Sequence, residues 1–71
     1  MEVLVFKTNI NYDNDLELIS PILNEHPMVL QWNVDREDVD KVLRIEAKEI
    51  CPEEMINVIN KAGYFCEELP D

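Results

Sequence analysis

Four short stretches of this sequence have the hydrophobic pattern of β-strands. The first, Glu2 to Thr8, contains four consecutive apolar residues, which indicates a central strand partly covered on both faces. In the second and third stretches, apolar residues alternate with polar ones, as in strands that have one buried face. These alternating apolar residues are Leu30, Trp32 and Val34, then Leu43, Ile45 and Ala47. A fourth, shorter strand is predicted from Tyr64 to Leu69.

Apolar residues recur at helical spacing in two segments between these strands. The first helix is predicted from Asp15 to about Asn24, with Asn14 as its N-cap and Glu17 completing a capping box. Pro21 falls inside this helix. Because the apolar spacing continues through the proline without a change of phase, we predict one kinked helix rather than two short ones.

The second helix is predicted to begin at Pro52, with Cys51 before it and acidic residues in its first turn. Gly63, the only glycine of the chain, is the expected residue just past its C-terminal end. Together the helices and the alternating strands predict a single apolar core. Its predicted members are Leu4 or Val5, Phe6, Ile19, Leu23, Trp32, Leu43, Ile45, Ile59 and Ala62.

The predicted order of elements is β-α-β-β-α-β, the ferredoxin-like split βαβ pattern of the α+β class. We expect one domain, residues 1–71, with a four-stranded antiparallel sheet and both helices on one face. Strands one and three should be central. This topology brings the loop after the first strand, the turn over residues 35–40 and the loop around Gly63 to one end of the sheet. Cys51 falls at the opposite end.

The charge of the chain narrows the classes of partner. Sixteen acidic residues against six basic ones give a net charge of −10. Such a surface repels a phosphate backbone and anionic lipid, so neither nucleic acid nor a membrane is an expected partner. No apolar run has the length of a membrane span or the pattern of a signal peptide. We therefore expect a cytoplasmic protein.

Several short segments, in their order and spacing, resemble the heavy-metal-associated domains of copper chaperones and metal-pumping ATPases. The resemblance covers nearly the whole chain and agrees best with a branch of small bacterial chaperone-like proteins. The segments that carry it are Phe6-Lys7-Thr8-Asn9-Ile10, Pro21, Trp32-Asn33-Val34-Asp35, Asp40-Lys41-Val42-Leu43 and Lys61-Ala62-Gly63-Tyr64. This resemblance implies the same ferredoxin-like fold that the hydrophobic pattern predicts.

The family binds Cu(I) or Zn(II) through two cysteines in a Cys-x-x-Cys motif, because soft metals select thiolates. The resemblance places Tyr12 and Asp15 at those two positions, and Ile10 where the family usually has a buried methionine. A phenol and a carboxylate cannot form a dithiolate site. We therefore expect a domain that lacks the soft-metal site and binds no cofactor.

The topology predicts an acidic end of the molecule around an aromatic patch of Tyr12 and Tyr64. The carboxylates at this end are those of Asp13, Asp15, Asp35, Glu37, Asp38 and Asp40. The resemblance implies that partners dock at this end, so a basic protein is the expected partner. An acidic end that only faces solvent is equally consistent with the sequence. For Tyr12 itself, we expect a ring that packs on Ile10 and Tyr64 rather than one that contacts a partner. The predicted contact residues are Ile10, Tyr12, Asp13, Asp15, Asp35, Glu37, Asp38 and Tyr64.

Other functions stay open at this point. One alternative is a metal-ion binding or transport protein that uses the carboxylates, or Cys51 and Cys66 from different chains, as ligands. Another is a small-molecule sensor. The sequence shows no nucleophile–base pair, phosphate-binding loop or catalytic carboxylate pair, so an enzyme is not expected. Cys66 is expected to be buried and unreactive. The chain should be a monomer or a weak homodimer.

Overall fold

The computed structural model describes residues 2 to 69 and has the predicted order of elements. These elements are β1 (Glu2–Thr8), α1 (Asp13–Glu25), β2 (Val29–Asp35), β3 (Val42–Ala47), α2 (Pro52–Lys61) and β4 (Cys66–Glu68). The strands form one antiparallel sheet in the order β2-β3-β1-β4, which places β1 and β3 in the centre as expected. The ferredoxin-like fold is therefore confirmed.

One face of the sheet packs against both helices. In the central pair of strands, Leu4 lies opposite Ile45 and Phe6 lies opposite Leu43, so these four side chains share one face. They join residues of both helices in a single buried cluster. The cluster consists of Leu4, Phe6, Ile10, Ile19, Leu23, Leu43, Ile45, Ala47, Ile50, Met55, Ile59 and Cys66. Burial of this apolar surface is the main force that holds so small a chain in one fold.

The observed core differs from the predicted one along the edge strand β2. The Trp32 side chain is only half-buried, and its indole Nε1 donates a hydrogen bond to Asn24 Oδ1 at 2.9 Å. Leu30, predicted to face the core, is 47% exposed. The reason is a bulge between Val29 and Gln31, which interrupts the alternation of the strand. Ala62, also predicted in the core, is half-buried.

Helix α1 begins two residues earlier than predicted. Its N-cap is Tyr12, and the carboxylate of Asp15 accepts the backbone N–H of Tyr12 at 3.0 Å. Asp15 thus has the role that was expected of Glu17, and Asn14 lies inside the helix rather than at its cap. A carboxylate at this position also interacts favourably with the positive end of the helix dipole. The helix continues through Pro21 without a break, as predicted.

Side chains and backbone tie three connections together at one end of the sheet. The Thr8 hydroxyl donates to the Lys41 carbonyl at 2.5 Å, and the Thr8 N–H donates to the Asp40 carbonyl at 3.0 Å. On the other side, the backbone N–H of Phe65 donates to the side-chain oxygen of Asn9 at 2.9 Å. This last contact keeps residues 64 and 65 in a loop, so β4 is shorter than predicted.

Helix α2 begins and ends as predicted. Cys51 is its N-cap, Pro52 is its first residue, and Gly63 lies just past its end with φ at +96°, a region that favours glycine. Because α2 runs toward the three tied connections, Cys51 lies at the other end of the molecule. Between residues 2 and 69, no helix is long and apolar enough to span a membrane.

Candidate functional site

The three tied connections define the candidate site, which we call the loop pole. It consists of residues 9–12 between β1 and α1, residues 36–41 between β2 and β3, and residues 62–65 between α2 and β4, together with the first turn of α1. Most of the residues predicted to contact a partner lie here. The topology that the sequence predicted therefore brings them to one end, although their individual roles differ.

Asp15 holds two of the three connections together. Its Oδ2 accepts the backbone N–H groups of Asn11 at 3.1 Å and Tyr12 at 3.0 Å. Its Oδ1 accepts the hydroxyl of Tyr64, which comes from the loop after α2, at 2.8 Å. The Tyr64 hydroxyl, followed by the backbone donors, lowers the pKa of Asp15, and the same bond raises the pKa of Tyr64. At the position that the resemblance aligns with a metal thiolate, this chain has a structural carboxylate.

Replacing Tyr64 by phenylalanine is expected to raise the pKa of Asp15 toward its ordinary value, because the largest stabilising contact to the carboxylate is removed. A lowered folded-state pKa adds stability above the ordinary carboxyl pKa of about 4, and this stability is lost as pH falls through the folded value. The variant should therefore lose less stability on acidification than the wild type. Titration of the Asp15 carboxyl carbon by NMR measures the shift.

Tyr12→Phe is the matched control for this titration, because the structure assigns the Tyr12 hydroxyl no hydrogen bond to Asp15. It removes the same group from the neighbouring loop residue and should leave the Asp15 titration unchanged. An unchanged titration in Tyr64→Phe would contradict the role given to this bond.

Tyr12 itself projects into solvent. It is 72% exposed, so the expectation that its ring packs on Ile10 and Tyr64 is wrong. Two further apolar side chains are exposed at the same pole: Val39, 91% exposed in the turn between β2 and β3, and Phe65, 47% exposed in the loop after α2. The sequence-based prediction missed both. The signal for Val39 was present, since it is an isolated apolar residue in an otherwise polar turn.

Ile10 does not belong to the contact surface, and the prediction that placed it there is wrong. Its side chain is fully buried in the core. The Ile10 N–H donates to the hydroxyl of Thr8 at 3.2 Å, and that hydroxyl is itself bonded to the turn after β2. This bond directs residue 10 toward the core, so the Ile10 side chain anchors the loop in the core. Tyr64 is half-buried and contributes through its bond to Asp15.

Some of the carboxylates at this end pair with basic residues, which the prediction did not consider. Arg36 Nη1 lies 2.6 Å from Asp13 Oδ1, which ties the turn after β2 to the start of α1. Lys7 Nζ lies 3.6 Å from Asp40 Oδ1. Both pairs are partly exposed, so each contributes little to stability. Their effect is to neutralise part of the acidic surface. Lys41 Nζ donates to the backbone carbonyl of Arg36 at 2.7 Å.

Three exposed carboxylates in this turn and at the end of β2 stay outside these pairs. Asp35 accepts the backbone N–H of Glu37 at 3.1 Å, and Asp38 accepts that of Asp40 at 2.9 Å. Such bonds fix the shape of a turn and leave the negative charge facing solvent. The acidic character of the loop pole is therefore concentrated at Glu37 and Asp38, beside Val39, and Asp35 adds to it from the adjoining end of β2.

Neither metal-binding alternative gains support from the geometry. Among residues 2 to 69, no group of three or more histidine, cysteine, aspartate or glutamate side chains is arranged to hold a metal ion. Cys66 is 6% exposed at the start of β4, and burial raises the pKa of its thiol to about 12. It cannot reach a second chain as a ligand without leaving the core. Cys51 is exposed, but it lies at the opposite end of the molecule.

No protein-family model matches this sequence, and no curated protein matches it. Solved structures do match the fold. One, described as showing crosstalk between Cu(I) and Zn(II) homeostasis, is 14% identical, with a TM-score of 0.81 over 97% of this chain and 100% of that chain. Another, the solution structure of an Atx1–Cu(I)–Ccc2a complex, is 15% identical, with a TM-score of 0.84 over 100% of this chain and 99% of that chain. Similarity at this identity establishes a shared fold.

Proposed function

We propose that this chain is a binding module of the heavy-metal-associated type that has lost the soft-metal site and docks a protein partner through the loop pole. The proposal rests on the two residues at the positions that the resemblance aligns with the metal-binding cysteines. Tyr12 presents an exposed ring, and Asp15 uses both carboxylate oxygens to hold the surrounding loops. The first position is thus free for contact, and the second fixes the surface around it.

The same two residues argue against a Cu(I) site at this pole. Cu(I) selects thiolate and thioether ligands, and neither a phenol nor a carboxylate is one. The nearby thiol of Cys66 is buried and protonated, because burial raises its pKa to about 12. We also infer a non-catalytic role. Asp15 and Tyr64, the two residues of this pole with shifted pKa values, are bonded to each other, and their bond joins two loops.

Exposed apolar side chains beside unpaired carboxylates support docking to a protein. Tyr12, Val39 and Phe65 offer apolar contact area, and aromatic residues are enriched in protein interfaces. The carboxylates of Glu37 and Asp38 directly precede Val39 in the chain and would attract a basic partner. The Atx1–Cu(I)–Ccc2a complex supports the proposal in a general way, because there a chain of this fold is found in complex with a protein.

Removing charge from the loop pole is expected to weaken docking of a basic partner and reduce its dependence on salt. The variant is Glu37→Gln with Asp38→Asn, which removes two charges and keeps an oxygen at position 38 to accept the Asp40 N–H. The probe is a lysine-rich peptide with one tryptophan, titrated into isotope-labelled protein at low and high salt. The amide resonances of Tyr12, Val39 and Phe65 should shift in the wild type, and less in the variant.

The matched control is Glu25→Gln with Glu53→Gln, which removes the same charge from exposed positions at the other end of the molecule. It should bind the peptide nearly as well as the wild type. Equal weakening in both double variants would show attraction to total charge rather than docking at this pole. Shifts spread over all acidic surfaces of the wild type would count against the proposal in the same way.

A further inference from the structure

The two edges of the sheet differ in how well they are protected from pairing with a strand of another molecule. The edge strand β4 has three residues, two of which are glutamates. The other edge strand, β2, has seven residues and pairs on one side only, with β3. Edge strands are usually protected by charge, shortness, proline or a bulge. In β2 a bulge protects the segment up to Gln31, and Asp35 is the only charged residue of the strand.

The direction of the unpaired backbone groups follows from the ladder of hydrogen bonds. Leu69 N–H donates to the Val5 carbonyl at 2.9 Å, so Val5 turns its backbone toward β4. Backbone direction alternates along an antiparallel strand, so Leu4 and Phe6, the neighbours of Val5, face β3. Their partners Ile45 and Leu43 face β1, and Arg44 between them faces β2.

The same alternation continues across β2. Arg44 pairs with Asn33, so Asn33 turns its backbone inward toward β3. Its neighbours Trp32 and Val34 therefore direct their N–H and C=O groups to the free edge. This leaves an unpaired donor and acceptor on each of two residues, in a segment beyond the bulge that carries little charge. Such an edge is a template for another strand.

We propose that a second copy of this chain adds to the β2 edge, antiparallel, with Trp32 opposite Val34 of the second copy. The twofold axis then passes at Asn33, which faces Asn33 of the second copy. Both Trp32–Val34 pairs exchange their backbone hydrogen bonds, so each outward donor and acceptor of these residues is satisfied. The result is one continuous antiparallel sheet through two molecules.

The self-complementary register of the strand, and not attraction between the chains, favours a second copy as the occupant of this edge. In the proposed register, Gln31 faces Asp35 of the second copy, and no like charges meet between residues 31 and 35. A chain of net charge −10 can approach itself only through a surface that carries little charge, and the β2 edge is such a surface. The other edge of the sheet would place the glutamates of β4 against each other.

Salt dependence separates this association from docking at the loop pole. Dimer formation brings together two chains that each carry a net charge of −10, so salt should strengthen it by screening their repulsion. Docking of a basic partner at the loop pole should be weakened by salt for the opposite reason. The two proposals are independent: Tyr12→Ala changes the exposed surface of the pole and should leave dimer formation intact.

The decisive experiment is sedimentation equilibrium up to millimolar chain concentration. The wild type is measured in high salt, and the wild type, Asn33→Lys and Gln31→Lys are compared at physiological ionic strength, where the lysine charges are less screened. The wild type should show a reversible monomer–dimer equilibrium. Asn33→Lys sets two lysines face to face at the axis and should raise the dimer dissociation constant by about fivefold or more. Gln31→Lys adds the same charge two residues away but faces Asp35 of the second copy, so it should leave the constant unchanged or lower it.

Each contrary result overturns the proposal. A wild type that stays monomeric at millimolar concentration in high salt excludes the association. An Asn33→Lys variant that dimerises like the wild type, or equal weakening by both lysines, excludes this register and this edge. Loss of the dimer in Tyr12→Ala would show that the contact between the two copies lies at the loop pole and not at the β2 edge. Both substituted positions are exposed, so folding should be preserved, and a circular dichroism melt checks this.

Discussion

Replacing Leu23 by alanine should lower the free energy of unfolding by about 2–5 kcal/mol. Leu23 is fully buried in α1 within the single core of the molecule, so the change removes apolar contacts and leaves a cavity. A domain of this size has a total stability of roughly 5–10 kcal/mol. The variant should therefore be partly unfolded at moderate temperature. Urea denaturation followed by tryptophan fluorescence measures the loss, since Trp32 packs against the same core.

Leu18→Ala is the matched control for this prediction. Leu18 lies in the same helix and is 61% exposed, and the change deletes the same atoms. Leucine and alanine have similar helix propensities, so the effect of this substitution should stay within about 0.5 kcal/mol. Similar losses in both variants would show that the helix itself, and not burial in the core, limits stability.

The sequence predicts the fold well because the elements are marked by local signals. The alternation of β3 and the boundaries of α2 at Pro52 and Gly63 agree with the structure. What it could not predict is the bulge in β2 that exposes Leu30, because a bulge depends on pairing with β3 and not on the strand's own residues. The start of α1 was misplaced because Asn14 and Asp15 both suit a helix N-terminus.

The candidate site was predictable in location but not in detail. Topology alone brings the three connections to one end. The roles of Asp15 and Ile10 depend on contacts with the distant Tyr64 and Thr8, and no local pattern reports such contacts. Arg36 could have been included, since it stands among the carboxylates of the turn. Its pairing with the start of α1 follows only from the three-dimensional arrangement.

The double change Tyr12→Cys with Asp15→Cys is expected to give the chain one-to-one retention of Cu(I), which the wild type should lack. Positions 12 and 15 have the Cys-x-x-Cys separation, and they are the N-cap and third residue of α1. A helix N-terminus lowers the pKa of a thiol and so supplies the thiolates that a soft metal needs. Asp13, an exposed carboxylate next to position 12 in the chain, is paired with Arg36, which limits its opposing effect on the thiol pKa.

The structure adds a cost to this change, because Asp15 accepts three hydrogen bonds. Without the carboxylate, the Tyr64 hydroxyl and two backbone N–H groups lose their partner, and the favourable interaction with the helix dipole is lost as well. The metal-free double variant should therefore be less stable than the wild type. Binding of Cu(I) should restore stability, because a ligand that binds only the folded state stabilises it.

Competition against a chromophoric Cu(I) chelator, with folding checked by NMR, tests this prediction in five proteins. The wild type and both single cysteine variants should lose the metal to the chelator, since one thiolate leaves Cu(I) without its second ligand. The double variant Tyr12→Ser with Asp15→Ser removes the same two side chains without adding thiols, and it should also fail to bind Cu(I). Only the double cysteine variant should retain one Cu(I) per chain. If it is folded and binds no better than the serine variant, positions 12 and 15 do not correspond to the ligand positions of heavy-metal-associated domains. The proposed loss of a soft-metal site at the loop pole would then have no basis.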